Sequence, residues 1–195
     1  EYCLEANKHA IQVLEGYGYT KDFPLERFYR DNRLNPIHEG THGIQALDLI
    51  GRKIFANQGR SFIYLLTLIK ETISRAKEDT ELKIYGDQLE ALITQLESVV
   101  ESIKLKRKKS SDYLALSSAG IFLDAFGLIL IGWMWLKQGA VVFKKLRDED
   151  TNSFYLGKKS TIKFYFNHEL PKARERLEFI ARFDSSFVEM ESDWF

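Results

Sequence analysis

Five residues in a row, His38-Glu39-Gly40-Thr41-His42, satisfy the H-E-x-x-H pattern in which two imidazoles hold zinc and the glutamate polarises a metal-bound water. That chemistry needs both histidines on successive turns of one helix, and here Pro36, Gly40 and Gly43 interrupt such a helix where it is needed. Glu71, the downstream candidate for a third ligand, has no supporting acidic residue at helical spacing, and His9 and His168 form no rival cluster. A zinc hydrolase is therefore the lesser reading, and no metal ligand is assigned. Independently of metal, Glu39 sits on a loop that leads into a helix N-terminus, a usual place for a carboxylate acting as acid or base. A helix-capping carboxylate is the competing structural reading. The glycine-bearing turns at Gly16–Gly18 and Gly40–Gly43 would let backbone N–H groups approach a phosphate or carbonyl.

The elements that carry this loop follow from punctuation and periodicity. Only three prolines occur, at positions 24, 36 and 171, and apolar residues recur three and four apart over long stretches, an all-α pattern. Residues 1–15 form a helix with Leu4, Ala10, Ile11 and Leu14 inward, stopped by Gly16 and Gly18. Pro24 opens a short second helix and Pro36 closes it, leaving residues 35–40 as a loop. Thr41 caps the next helix, residues 42–56, whose apolar side is Ile44, Leu47, Leu49, Ile50 and Ile54. Beyond Gly59 the helices lengthen: 61–77, 81–109 with a stripe of Leu82, Tyr85, Leu89, Leu92, Leu96, Val99 and Ile103, then 110–146 and 171–183. Lys104 to Lys109, five basic residues in six, are read as helix C-terminal cations rather than a phosphate patch.

With 28 basic and 28 acidic residues the formal net charge is zero, so no overall field draws the chain to nucleic acid. The single cysteine, Cys3, excludes an internal disulfide and favours a cytoplasmic setting. The first residue is Glu1, inside a helical pattern with no signal peptide, from which a missing N-terminal portion is expected. Residues 113–136 are apolar and long enough to span a bilayer, with Trp133 and Trp135 near one end. Asp124 in the middle, costing ~3 kcal/mol on insertion scales, and the small residues Ser117, Ser118, Gly120 and Gly127 favour a core helix instead. If buried, Asp124 requires an Arg or Lys partner.

The segment from Ile11 to Lys53 resembles the C-terminal helical segment of the acyl-CoA dehydrogenases. The family's Gln-x-x-Gly-Gly turn, Pro-x-Glu helix start, Arg-Asp pair and Glu-Gly-Thr loop correspond to Gln12–Gly16, Pro24–Glu26, Arg30-Asp31 and His38–Thr41. Residues from Asn57 onward resemble the extra helical domain of a larger subgroup, through Tyr113-Leu114, Gly132-Trp133-Met134-Trp135 and the stretch from Lys158 through Tyr165 to Leu170-Pro171. Residues 30–45 most resemble the methylthiopropionyl-CoA dehydrogenases.

The resemblance implies an all-α helical bundle: residues 1–57 end the enzyme's helical domain and 58–195 form an additional α-helical domain. It implies an FAD-dependent oxidation of an acyl-CoA thioester to the trans-2-enoyl-CoA, as in fatty acid β-oxidation, with Glu39 as the base and the β-hydride passing to flavin. Hydrogen bonds at the thioester oxygen, one from the Glu39 backbone N–H, would stabilise the developing enolate. By the same resemblance Gln12, Gly16 and Thr41 meet FAD, Arg30 and Asp31 form a structural ion pair, electron transfer flavoprotein takes the electrons, and the enzyme is a homo-oligomer. This chain alone would be inactive. Three positions depart from the family pattern: Glu15 replaces the first glycine, His42-Gly43 stand where Ser-Gln is common, and Arg52 falls one residue late. A reading from a different class is a helical oligomerisation or membrane-docking module, making peripheral contact through residues 113–136.

Overall fold

The computed structural model describes residues 2–38, 40–109, 112–148, 152–186 and 188–194. It is 82% helical, with no strand among the described residues, as the periodicity requires. Two compact units are present, Glu1–Gln45 and Ala46–Phe195.

The first unit is built from α1 (Tyr2–Val13), α2 (Glu15–Tyr19) and α3 (Leu25–Asn32). The chain breaks between Val13 and Glu15 and then restarts as a helical turn, where the glycines alone predict a stop. Gly18 explains the restart's position: a Cβ there would collide with the Ile11 carbonyl, so only glycine lets α2 lie against α1. The Asn32 side-chain amide donates to the Asn7 side-chain oxygen and ties α3 to α1. Leu4, Ala10 and Ile11 lie on the less exposed face of α1 and Leu14 just beyond its end, yet each is only half-buried. Gly18 is the one buried residue among those described in this unit.

Helix α4 (Thr41–Asp48) is shorter than its apolar pattern predicts. It passes into a π-turn at Leu49–Lys53, and the backbone then turns left-handed at three successive residues, Asn57, Gln58 and Gly59. Ala46, Ile50 and Ile54 are buried, whereas Ile44 and Leu47 are exposed.

The second unit begins with a hairpin of α5 (Arg60–Lys77) and α6 (Lys83–Lys109). The expected α6 stripe faces the core: Leu82, Leu89, Leu92, Leu96, Val99 and Ile103 are buried and Tyr85 half-buried. The helix expected over 110–146 is two helices, α7 (Asp112–Leu116) and α8 (Ala119–Arg147). Between them the Ser117 hydroxyl donates to the Leu114 carbonyl, a local bond that competes with helix continuation. Residues Ser110 and Ser111 lie outside the described residues. Helix α9 (Ser153–Phe164), a π-turn at Tyr165–Glu169 and α10 (Pro171–Ala181) complete the bundle, with the Asn152 side chain accepting from the Phe154 N–H as N-cap of α9.

Helix α8 packs on α5, α6, α9 and α10. Two glycines on α8, Gly132 and Gly139, set the approach: a Cβ at either would lie 2.9 Å from a methyl of Leu170 or Leu82 respectively. The Trp133 indole N–H donates to the Thr72 hydroxyl at 2.8 Å, and the Tyr165 hydroxyl donates to the Leu128 carbonyl at 2.8 Å. Gly132 and Trp133 of the Trp-containing run thus each have a packing role. One face of α8, including Phe122, Ala125, Ile129, Leu136 and Phe143, is core. The opposite face carries exposed Met134 and Val141 and half-buried Leu123, Leu130 and Ile131. By length and composition this helix could cross a membrane, yet only 33% of its most apolar window is buried. Asp124 belongs to the open face, so it is half-exposed rather than buried, and its contact with the Arg176 guanidinium is long at 3.9 Å.

The α5–α6 turn is clasped to the far end of α8. Asp79 accepts from the backbone N–H groups of Glu81 and Leu82, and its other oxygen pairs with Arg147 at 2.7 Å; Glu81 in turn meets Arg147 and Lys159. Partial burial raises the Asp79 carboxyl, but the Arg147 bond and the two backbone N–H bonds outweigh it and hold the group below its ordinary value. A lowered carboxylate contributes stability that is fully present above the unfolded pKa of ~3.9 and disappears as pH falls through the folded value. Asp79→Ala is expected to cost about 1–2 kcal/mol in urea unfolding at pH 7. The gap between variant and parent should begin to narrow below about pH 4 and shrink further as the pH falls through the folded value.

Candidate active site

Glu39, the residue on which the chemical readings converge, lies outside the described residues. Its flanks are described. His38 ends a run of turns after α3, its N–H donating to the Leu34 carbonyl, and Gly40 and Thr41 then both adopt left-handed backbone angles, φ +101° and +61°. The Thr41 N–H donates back to the Ile37 carbonyl. Two left-handed residues, Gly40 and Thr41, therefore lie between the two imidazoles of the H-E-x-x-H pattern. His38 and His42 are not on successive turns of one helix, which is the arrangement that pattern needs to align two zinc ligands.

Of the residues assigned to the cofactor, Gln12 lies exposed on the last turn of α1 and Gly16 lies exposed in α2 with open space where a side chain would be. Thr41 is exposed at the first position of α4. All three are exposed on the surface of the described residues. None of them lines the cleft of about 600 Å³ in the first unit, whose walls are Ile11, Tyr19, Thr20, Lys21, Glu26 and Tyr29. The aromatic character of the Gly16-Tyr17-Gly18-Tyr19 run is the signal in the sequence that could have pointed to it.

The departure at Glu15 acquires a physical meaning. Glu15 has φ +52°, a left-handed conformation that disfavours every residue with a Cβ and suits glycine. Glycine in the Gln-x-x-Gly-Gly pattern is thus explained by the backbone, with no ligand invoked. Because the Glu15 side chain is exposed, Glu15→Gly should raise stability by up to about 1 kcal/mol, read as a higher Tm; a lower Tm would show that the carboxylate makes a favourable interaction.

The Arg30-Asp31 pair is corrected. Successive residues on a helix point apart, so each takes a partner one turn away, Arg30 with Glu26 at 3.3 Å and Asp31 with Arg27 at 4.0 Å. Arg52 is likewise engaged, its Nε donating to Asp48 at 2.6 Å, with Lys53 on the other oxygen. These two bonds hold the Asp48 carboxyl below its ordinary value.

Two family models match the chain in tandem. Residues 1–55 match the acyl-CoA dehydrogenase, C-terminal domain, and residues 65–191 match the acetyl-CoA dehydrogenase C-terminal like domain. Together they place the chain in the acyl-CoA dehydrogenase family. Among curated relatives, it is 27% identical over 190 residues to a broad-specificity linear acyl-CoA dehydrogenase of Mycobacterium tuberculosis, covering 93% of this chain and 31% of the relative. A butyryl-CoA dehydrogenase of Syntrophomonas wolfei is 25% identical over 196 residues, 97% of this chain and 32% of its own length. A 3-methylmercaptopropionyl-CoA dehydrogenase of Ruegeria pomeroyi is 41% identical over 61 residues, 31% of this chain and 10% of that protein. The chain spans about a third of the length of the relatives that align along nearly all of it.

Proposed function

We propose that this chain is the C-terminal part of an FAD-dependent acyl-CoA dehydrogenase that converts an acyl-CoA thioester to the trans-2-enoyl-CoA. The observation that carries the reading is the tandem order of the two family matches, joined by relatives that align through both. On this reading residues 1–57 finish the enzyme's helical domain and residues 58–195 are the additional one. Gln12, Gly16 and Thr41 hold FAD, and their outward placement suits that role. When bound, FAD supplies the two-electron acceptor for the β-hydride.

The chain's own contribution is proton transfer. The Glu39 carboxylate takes the α-proton, the C–H electron pair moves toward the thioester carbonyl, and the Glu39 N–H donates to the oxygen on which negative charge develops. The left-handed turn at Gly40 and Thr41 fixes the backbone on the C-terminal side of that carboxylate. Electron transfer flavoprotein as acceptor, a homo-oligomeric assembly and a cytoplasmic setting belong to the same proposal. So does the inactivity of this chain alone, which is about a third of the length of its long-aligning relatives.

Anaerobic titration of the full-length protein with short, branched, long and methylthio acyl-CoAs tests the reading. The visible flavin absorbance should bleach with one of these classes; a protein that neither carries nor takes up FAD would sink it. A second reading, a module that docks on membranes, draws on the open apolar face of α8, and flotation of the full-length protein with vesicles separates it from the first.

A further inference from the structure

A groove in the second unit is part of neither reading. It holds about 720 Å³ between α5 and the last turns of α6, within the ~300–1,000 Å³ range of small-molecule sites. Phe55, Phe62, Ile63, Leu66 and Val100 form its floor, and the left-handed residues Gln58 and Gly59 form one lip. Among the described residues, Gln58 is the one uncharged hydrogen-bonding side chain on the walls, and the remaining polar lining is charged.

The charged rim narrows the ligand further. Glu97 is bound by Lys70 at 2.7 Å and Glu101 by Lys104 at 2.9 Å. Arg107 is engaged on all three of its nitrogens, donating through Nε and Nη2 to Asp112 and through Nη1 to the Gly51 carbonyl while lying over the Phe55 ring. The Nε/Nη2 fork is therefore already taken by a carboxylate of this chain. Lys108 remains, and among the described residues it has no ion pair. The last turn of a helix carries partial negative charge, which the basic residues Lys106, Arg107, Lys108 and Lys109 on that turn offset. An apolar trough ending in a single uncommitted ammonium is complementary to an aliphatic chain ending in one carboxylate.

We propose that this groove binds a linear aliphatic carboxylate, with its chain along Phe55, Phe62 and Ile63 and its head at Lys108. The assignment does not rest on Glu39 or on FAD.

Calorimetric titration of the full-length protein with dodecanoate tests it, using dodecanol as the uncharged probe. One saturable site per chain is expected. Ile63 is 58% exposed, so Ile63→Trp can fill the trough without disturbing the core, and it should weaken both probes by about tenfold or more. Lys108→Glu should weaken dodecanoate by about tenfold and leave dodecanol within about twofold. Binding that ignores Ile63→Trp, or that acyl-CoA displaces from both parent and variant, would put the fatty chain in the catalytic cleft and overturn the proposal. So would the absence of saturable binding, which is the result expected if another protein segment covers the groove.

Discussion

Glu39→Gln in the full-length enzyme is expected to cut the rate of flavin bleaching by acyl-CoA by ~10²–10⁴-fold, the range over which a positioned general base acts. The amide keeps the size and the backbone N–H of the glutamate but has no basic oxygen to accept the α-proton. Flavin content and Tm should stay at parent values, because the lost property is proton affinity rather than packing. Stopped-flow spectroscopy on protein reconstituted to equal flavin content reads the effect directly. Bleaching at the parent rate would remove Glu39 from the chemistry while leaving the family membership intact.

The second large effect is structural. Phe166 is fully buried, its ring lies 4.8 Å from that of Tyr85, and it belongs to the π-turn that joins α9 to α10. Phe166→Ala removes that contact and leaves a cavity between α6 and the π-turn, at an expected cost of about 3–5 kcal/mol. Urea unfolding should show a lower midpoint with an unchanged slope. A loss below about 1 kcal/mol would mean that the π-turn relaxes to fill the space, a sign that its geometry is imposed by the ring rather than by the backbone.

The readable and unreadable parts of this fold have separate causes. Pattern over a long helix was legible: the α6 stripe is buried where its spacing of three and four places it, because one face must meet the core. The basic run at Lys104–Lys109 was legible for a similar reason, and Arg107 bonded to Asp112 and Gly51 shows its structural use. The π-turns at Leu49–Lys53 and Tyr165–Glu169 were not legible, since one extra residue per turn leaves the apolar spacing almost unchanged. Whether Asp124 is buried was not legible, because hydropathy averaged over α8 hides which of its faces is covered. Helix α9 went unread although Asn152 as cap, and Tyr155, Ile162 and Tyr165 beyond it, mark a helical face.

The candidate site divides along another line. The order of its motifs is written in the sequence, so the base and the cofactor contacts could be proposed there. The left-handed angles at Glu15, Gly40 and Thr41 were not, because two of the three fall on residues that carry a Cβ. Glycine-based expectation finds permissive positions and misses those where the fold imposes strain.

The central place of α8 has a consequence for synthesis on the ribosome. Within the second unit the α5–α6 hairpin leaves the exit tunnel before α8 and α10, helices on which α6 also packs. At ~5–20 residues per second, translating from Lys109 to Ala181 takes on the order of 4–14 s. During that interval the nascent hairpin is a sticky, uncapped surface, a natural client for a holding chaperone until α10 closes over it.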